Sequence, residues 1–469
     1  MQLWIVDSGL FVTDCRTRLP FRFGADTMTE APLCLAMLEI ETDDGTRVRG
    51  YASDLLVPKW FDKDPNKTPR QNSLDLLASA EAAALSFRSE PESTVFDSWW
   101  SVYRQRVESQ PFGQGDQLVR AFGVALCERA LMDAACRAAK VSFFGALKQD
   151  LFGFRPELLY PELDDWSLPS SLNKAPASRV RVRHTVGLND ALRQEELETP
   201  LDDGLPQALE QDIASYGLDT FKVKIGGGHE MDLARLRSLA AFFDDTLDDY
   251  QLTVDGNEQF DTLDDLLVLF DALGRDPHGQ RLLERLLYIE QPLHRRATFE
   301  PKRNRAMAQV RDIAPVIIDE ADCALDALPR ALELGYRGIS VKNCKGVFRA
   351  LASRGLCETV DDAFQSAEDL TNLPVVALQQ DLATVAALAL PHVERNGHHY
   401  FSGLEHLSER EIDAALAAHP DLYTPYGSSA RLDIQGGELK LDSLAQSGYG
   451  AVGDPDLPAR RRGKDWGRE

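Results

Sequence analysis

Thr220-Phe221-Lys222-Val223-Lys224-Ile225-Gly226-Gly227 is the stretch on which the reading of this chain turns. Its β-branched and aromatic residues spell a short strand. Side chains alternate along a strand, so Lys222 and Lys224 leave on the same face. A strand this apolar belongs in a core, where an unpaired ammonium group is costly. Either the strand is half exposed and its lysines are solvated, or both lysines face buried anions or a polar cavity. The neighbouring sequence decides between the two.

Downstream, short apolar runs alternate with helical segments, mostly at intervals of about 20–40 residues, as expected of repeated βα units. The runs are 180–186, 220–225, 251–254, 286–289, 316–318, 338–341, 374–378 and 399–401. Eight such units in roughly 250 residues fit a closed barrel of parallel strands. An open doubly wound sheet is the alternative, but no Gly-x-Gly-x-x-Gly follows an early strand. The glycines at 226–228 lack the Lys-Ser/Thr ending of a P-loop. Residues 188–212 form an acidic insertion between the first two runs.

Upstream the pattern is different. Residues 1–55 read as strands, with a hairpin turn at Asp44-Gly45. Residues 53–72 hold Pro58, Trp60, Pro65 and Pro69 and read as loop. Asn72-Ser73 is placed to cap an Ala-rich helix running to Leu85. The clearest helix lies at 116–140, where Val119, Phe122 and Leu126 make one apolar stripe. The first 160 residues therefore read as α+β. Residues 161–179, with Pro161, Pro169 and Pro176, read as a linker. Gly436-Gly437 marks a second hairpin, over 433–441, that could return to the N-terminal sheet. The basic run Arg460-Arg461-Arg462-Gly463-Lys464 reads as a solvated end.

Sites in βα barrels are built at the C-terminal ends of the strands. Here successive ends carry Lys222 and Lys224, then Asp255 with Asn257, then Glu290, then Asp319-Glu320, then Lys342 with Lys345. Each acid alone reads as a helix cap or a solvated loop residue. In series they converge, and converging carboxylates must share a cation or hold protons. Hard oxygen ligands suit Mg²⁺, with Mn²⁺ as the alternative, whereas zinc prefers His or Cys. A lysine beside a divalent charge has its pKa lowered and can take a proton from the carbon next to a carboxylate, while the metal holds the enediolate.

These segments resemble the enolase superfamily, in the branch of muconate-lactonizing enzymes, o-succinylbenzoate synthases and dipeptide epimerases. The resemblance rests on Lys222-Val223-Lys224, Asp255-Gly256-Asn257, Ile289-Glu290-Gln291-Pro292-Leu293, Asp319-Glu320, and Ala130-Leu131-Met132-Asp133 ahead of the barrel. It implies an α/β fold: a modified TIM-type (β/α) barrel over 180–429, with an α+β capping domain formed by 1–160 and the C-terminal return at about 430–469. It implies Asp255, Glu290 and Asp319 as Mg²⁺ ligands, Lys224 as base on one face of the substrate and Lys342 as acid/base on the other. Lys222 would support the carboxylate and depress the pKa of Lys224, and Asn257, Glu320 and Lys345 would back the ligands or touch substrate. The reaction implied is epimerisation or racemisation, cycloisomerisation, or syn-elimination of the o-succinylbenzoate synthase kind.

The sequence departs from the family at several points. The stretch Leu378-Gln379-Gln380-Asp381, expected at the seventh strand end, has no His, which disfavours acid-sugar dehydration. Residues 400–405 lack the Asp-x-Asp of dipeptide epimerases, Ala321 follows the Asp-Glu pair, and Gly346 is followed by Val347. The alternatives kept are an acid-sugar dehydratase and a non-catalytic metal-binding relative acting as a scaffold. His184, His398, His399 and His406 either reach the mouth or pack. The arginines of 16–22 read as a surface loop or as a lid meeting an anionic ligand, and residues 53–67 are the other expected mouth loop.

Composition sets the remaining bounds. The 469 residues are 43% hydrophobic, enough for a sizeable core and two domains. A net charge of −24 argues against a nucleic-acid surface; the partner that the resemblance implies is a small carboxylate substrate. No run reaches membrane-spanning length. Seven scattered cysteines without metal spacing point to free thiols in a reducing cytoplasm. A homo-oligomer is the usual state of such barrels.

Overall fold

The computed structural model describes the chain except Ala25, residues 110–116, Gly227 and Glu469. The middle of the glycine triplet and the first residue of the helix expected at 116–140 thus lie outside the described residues.

The chain opens with β1 Leu3–Thr13, β2 Arg16–Phe23, β3 Asp26–Glu30, β4 Leu33–Thr42 and β5 Arg47–Leu55. β1, β4 and β5 form an antiparallel sheet with β4 in the middle. The Asp44-Gly45 turn joins β4 to β5 as expected, with Gly45 at φ +81°. β2 and β3 leave this sheet and pair only with each other, as a separate ribbon.

Helices Pro69–Arg88 and Gln117–Ala139 follow. The first does not start at Asn72-Ser73. Thr68 is its cap: the Thr68 hydroxyl accepts from the Gln71 amide while the Gln71 side chain accepts from the Thr68 amide, and Pro69 occupies the first turn. Asn72 instead accepts from the Lys59 amide, and Ser73 donates to the Leu56 carbonyl, so both tie the preceding loop to the helix. The helix Gln117–Ala139 is buried along most of its length because it lies between the cap sheet and the barrel. Asp133 accepts from the amides of Tyr51 and Tyr449, and Glu128 accepts from the Phe348 amide.

The barrel strands are β6 Arg179–Val186, β7 Thr220–Lys224, β8 Gln251–Asp255, β9 Leu286–Glu290, β10 Val316–Ile318, β11 Gly338–Val341, β12 Phe364–Ala367 and β13 His392–Arg395. All pair in parallel, and β13 closes on β6. The result is the expected capped (β/α) barrel. Six of its strands coincide with the runs read from sequence and two do not. Residues 374–378 run into the buried helix Val376–Leu388, and 399–401 into the short helix Gly397–Tyr400. Short apolar runs fit a buried helix as well as a strand. The true strands, Phe364-Gln365-Ser366-Ala367 and His392-Val393-Glu394-Arg395, hide because their inward side chains are polar.

The C-terminal segment also differs from expectation. β14 Tyr423–Tyr426 and β15 Ser429–Leu432 make a hairpin. The Gly436-Gly437 turn leads to β16 Glu438–Lys440, which pairs with barrel strand β6 and not with the N-terminal sheet. The chain returns to that sheet later, through β17 Arg461–Arg462 on the edge of β1. The basic run is therefore docked: Arg461 pairs with Asp14, and Trp466 donates to the same carboxylate. The seven cysteines are free, and no helix among the described residues is long and apolar enough to cross a membrane.

Candidate active site

Parallel pairing sets Lys224 level with Asp255, and Asp255 level with Glu290. The acids at successive strand ends thus stand at one height around the barrel mouth. Lys224 Nζ is 2.7 Å from Asp255 Oδ2. Lys342 binds Asp319 and lies 3.9 Å from Glu290 Oε1, while Lys345 Nζ is 3.3 Å from Asp319 Oδ1. Asn257 donates from its backbone to Asp255 at 2.8 Å and from its side chain to Glu320 at 3.4 Å. Every residue singled out from the strand ends is buried in one cluster.

Lys222 holds the centre of this cluster. Its Nζ is 3.0 Å from Asp255, 2.6 Å from Glu290, 2.8 Å from Glu368 and 2.9 Å from Glu394. Glu368 follows β12 and Glu394 lies within β13, so misplacing those strands hid them. Only Glu368 carries the signal used elsewhere, an acid directly after a short strand. Glu368 also pairs with Arg183 and accepts from Tyr288. Gln291 was quoted only as part of a motif, but it works as a brace. Its side-chain oxygen accepts from the amides of Asp319 and Ala321, fixing the end of β10 against β9. Asn257, Glu258 and Gln291 all take left-handed backbone, at φ +40°, +70° and +33°, which turns the chain sharply at the mouth.

The charges are unevenly satisfied. Burial raises the Asp255 carboxyl, but Lys222 and Lys224 outweigh it and hold it below its usual range. Burial likewise opposes Asp319, and Lys342 and Lys345 keep it ionised. Glu290 goes the other way: burial, then the Asp255 and Glu368 charges, push it well above the usual carboxylate range although Lys222 is adjacent. Neither oxygen of Glu290 accepts an aligned hydrogen bond. One ammonium shared among four acids does not neutralise them all. Glu320 is raised to about 7 by burial and by Asp319. Lys342 is lowered by burial but raised more by Asp319, ending above the ordinary lysine range. A cation among Asp255, Glu290 and Asp319 fits this donor set, because it would supply the positive charge that Glu290 lacks.

A narrow cavity of about 30 Å³ lies over this cluster. Lys224, Asn257 and Lys342 reach it from the barrel; Lys222 does not line it. Phe21, Phe23 and Met28 of the β2–β3 ribbon, with Val57 and Trp60 of the following loop, form its roof. The Trp60 ring centroid is 4.9 Å from Lys342 Nζ. Residues 16–22 thus do cover the mouth, but their arginines turn away from it. Arg18 binds Asp203 of the acidic insertion and the carbonyls of Pro206 and His399, Arg22 reaches Asn189, and Arg16 lies beside Glu30. Arg18 and Arg22 fasten the ribbon to the insertion, and aromatic rings face the cavity. The residues lining that cavity do not include His184, His398 or His399, which cluster around Asp212. His406 is half-buried against the Pro374 carbonyl.

Residues 205–419 match the family model described as enolase C-terminal domain-like. No curated protein matches the sequence. Among solved structures, a muconate lactonizing enzyme from Mucobacterium smegmatis complexed with muconolactone aligns with a TM-score of 0.61 at 21% identity, over 98% of this chain and 100% of that one. A dipeptide epimerase from Cytophaga hutchinsonii complexed with Mg and the dipeptide D-Ala-L-Val gives 0.61 at 15% identity, over 98% and 99%. A muconate lactonizing enzyme from Pseudomonas fluorescens gives 0.60 at 16% identity, over 98% and 99%. Residues 205–419 thus resemble an enolase C-terminal domain, and the chain as a whole shares the capped-barrel fold of these structures.

Proposed function

We propose that the protein is a Mg²⁺-dependent isomerase or lyase of the lysine–lysine branch, taking the proton next to the carboxylate of a small, largely apolar acid. The observation that carries this reading is that Lys224 and Lys342 reach the same cavity from different strands, each backed by a buried carboxylate. Asp255, Glu290 and Asp319 would hold the ion, with Mn²⁺ as a substitute. Bound there, the ion would stabilise negative charge building on the substrate carboxylate.

The chain's own groups do the rest. Lys224 in its neutral form takes the α-proton, and the electron pair of the C–H bond stays on the substrate. Lys342 addresses the other side, returning a proton in an epimerisation; in a syn-elimination the group leaves on the Lys224 side and takes its proton from the protonated Lys224. A divalent charge beside Asp319 would take up the field that now raises Lys342 and bring it toward a working value. Lys222, buried behind the acids, tempers their repulsion. Asn257, Glu320 and Lys345 hold Asp255 and Asp319 in place. Phe21, Phe23, Met28, Val57 and Trp60 exclude water and select an acid with an apolar body. The structural relatives in complex with muconolactone and with a dipeptide bind small carboxylates, which supports a substrate of that class here.

Carboxylic acids with aryl or alkyl bodies, incubated with the protein and Mg²⁺ in D₂O, test this. Deuterium is expected to enter the α-position of a substrate, and Lys224→Ala and Lys342→Ala should each cut exchange or turnover by orders of magnitude. Exchange that is unchanged in both variants would refute the proposal.

A further inference from the structure

His184, Asp212 and His399 meet outside the lysine cavity. They come from β6, from the helix Leu209–Tyr216 that ends the acidic insertion, and from the short helix after β13. One ligand atom from each lies within 4.8 Å of the other two. Asp212 Oδ2 is 2.9 Å from His399 Nδ1 and 3.9 Å from His184 Nε2. All three residues are nearly sealed from solvent, at 1%, 0% and 3% exposure.

Their hydrogen bonding is incomplete. Neither oxygen of Asp212 accepts an aligned hydrogen bond, and His399 Nδ1 has none despite the short contact. Buried carboxylates are almost always hydrogen-bonded, so this one needs an explanation. The three ligand atoms lie close enough together to share one ion. His184 Nδ1 lies 3.0 Å from His398 Nε2. With the proton on Nδ1 and donated to His398, His184 Nε2 keeps a free lone pair on the Asp212 side. A ring oriented through its other nitrogen is the usual arrangement of a metal-binding histidine.

We propose that His184, Asp212 and His399 bind a divalent transition-metal ion, in the first place Zn²⁺, at a site separate from the lysine–carboxylate cluster. Two imidazoles and one carboxylate make a borderline donor set that favours Zn²⁺ over Mg²⁺. The separations suit ligands held about 2.0–2.2 Å from one ion. The ion would clip the acidic insertion to the first barrel strand and to the segment after the eighth. The same clip reaches the roof of the cavity, since Arg18 of the ribbon donates to the His399 carbonyl at 2.8 Å and to the Pro206 carbonyl at 3.0 Å. The role assigned is therefore structural, holding the insertion and ribbon over the mouth.

The test uses the full chain, stripped with a chelator and then saturated with Mg²⁺ so that hard-ligand sites are filled. Zn²⁺ titration should then show one tightly bound equivalent and a rise in Tm, and Co²⁺ in its place should give the visible absorption of a low-coordinate site. Asp212→Asn and His184→Gln should each lose that equivalent, while Asp319→Asn, altered in the other cluster, should keep it. Wild-type protein that takes up no Zn²⁺ over Mg²⁺ would overturn the proposal whatever the variants do, leaving a plain His399–Asp212 ion pair. Full binding by folded Asp212→Asn and His184→Gln would overturn it as well.

Discussion

At the scale of the residue, Lys222 is shared among four buried acids. It sits within 3.0 Å of Asp255, Glu290, Glu368 and Glu394, and it is sealed from water. Lys222→Met removes the shared cation and leaves the acids facing one another. Breaking such a buried ionic cluster costs about 3–5 kcal/mol. A urea titration should show this loss, and saturating Mg²⁺ should recover more stability in the variant than in wild type. An unshifted midpoint without Mg²⁺ would mean that Lys222 does not hold the acids. A second buried acid reads out differently. Glu128 is raised from an ordinary 4.5 to about 8, chiefly by burial. The folded protein thus keeps a proton that the unfolded chain releases, so this contribution to stability is complete below the unfolded value and is lost as pH rises through the folded one. Glu128→Gln stays neutral throughout. Its Tm relative to wild type should climb as pH rises across that interval, and a pH-independent difference would contradict the assignment. Sequence patterning marked Lys222 but not how it is used: spacing puts two lysines on one face, while only the closed barrel brings Glu368 and Glu394 round to meet the first of them.

At the scale of the element, six barrel strands were legible as short β-branched runs, and five of them lead into a charged residue at 224, 255, 290, 319 or 342. β12 and β13 were not, because Gln365, Ser366, Glu394 and Arg395 make them polar, and apolar helical runs nearby fit the strand pattern better. The ribbon β2–β3 was legible as a lid by position, but its contacts are inverted relative to the reading of its arginines. A row of arginines is as good at gripping an acidic insertion as at gripping a ligand, and sequence does not distinguish the two. The cap helix Gln117–Ala139 was clear from its stripe, though not how closely it is packed. A Cβ on Gly50 of β5 would stand 2.2 Å from both the Ala130 carbonyl oxygen and the Ala134 amide nitrogen. Gly50→Ala must therefore push sheet and helix apart, at a cost of about 1–3 kcal/mol typical of overpacking. Thermal unfolding checks this; an unchanged Tm would mean that the sheet does not press on the helix at this point.

At the scale of the whole molecule, the cap and the barrel complete one site between them. The barrel sets lysines and acids at one height, and the cap roofs them with rings from residues far apart in sequence. β17 brings the distant end of the chain back to the edge of β1. The capped barrel could be anticipated from alternation, strand-end charges and family resemblance together. The roof of the cavity could not, because which side of β2–β3 faces inward depends on where the insertion and the barrel rim lie. The central claim is that Asp255, Glu290 and Asp319 share one divalent ion with Lys224 and Lys342 on either side of the substrate. A crystal structure grown with Mg²⁺ and a substrate carboxylate tests this most directly. The prediction is one ion about 2.1 Å from an oxygen of each of the three acids, with the substrate's α-carbon between the two lysines. An ion bound elsewhere, or a carboxylate held away from Lys224 and Lys342, would contradict it.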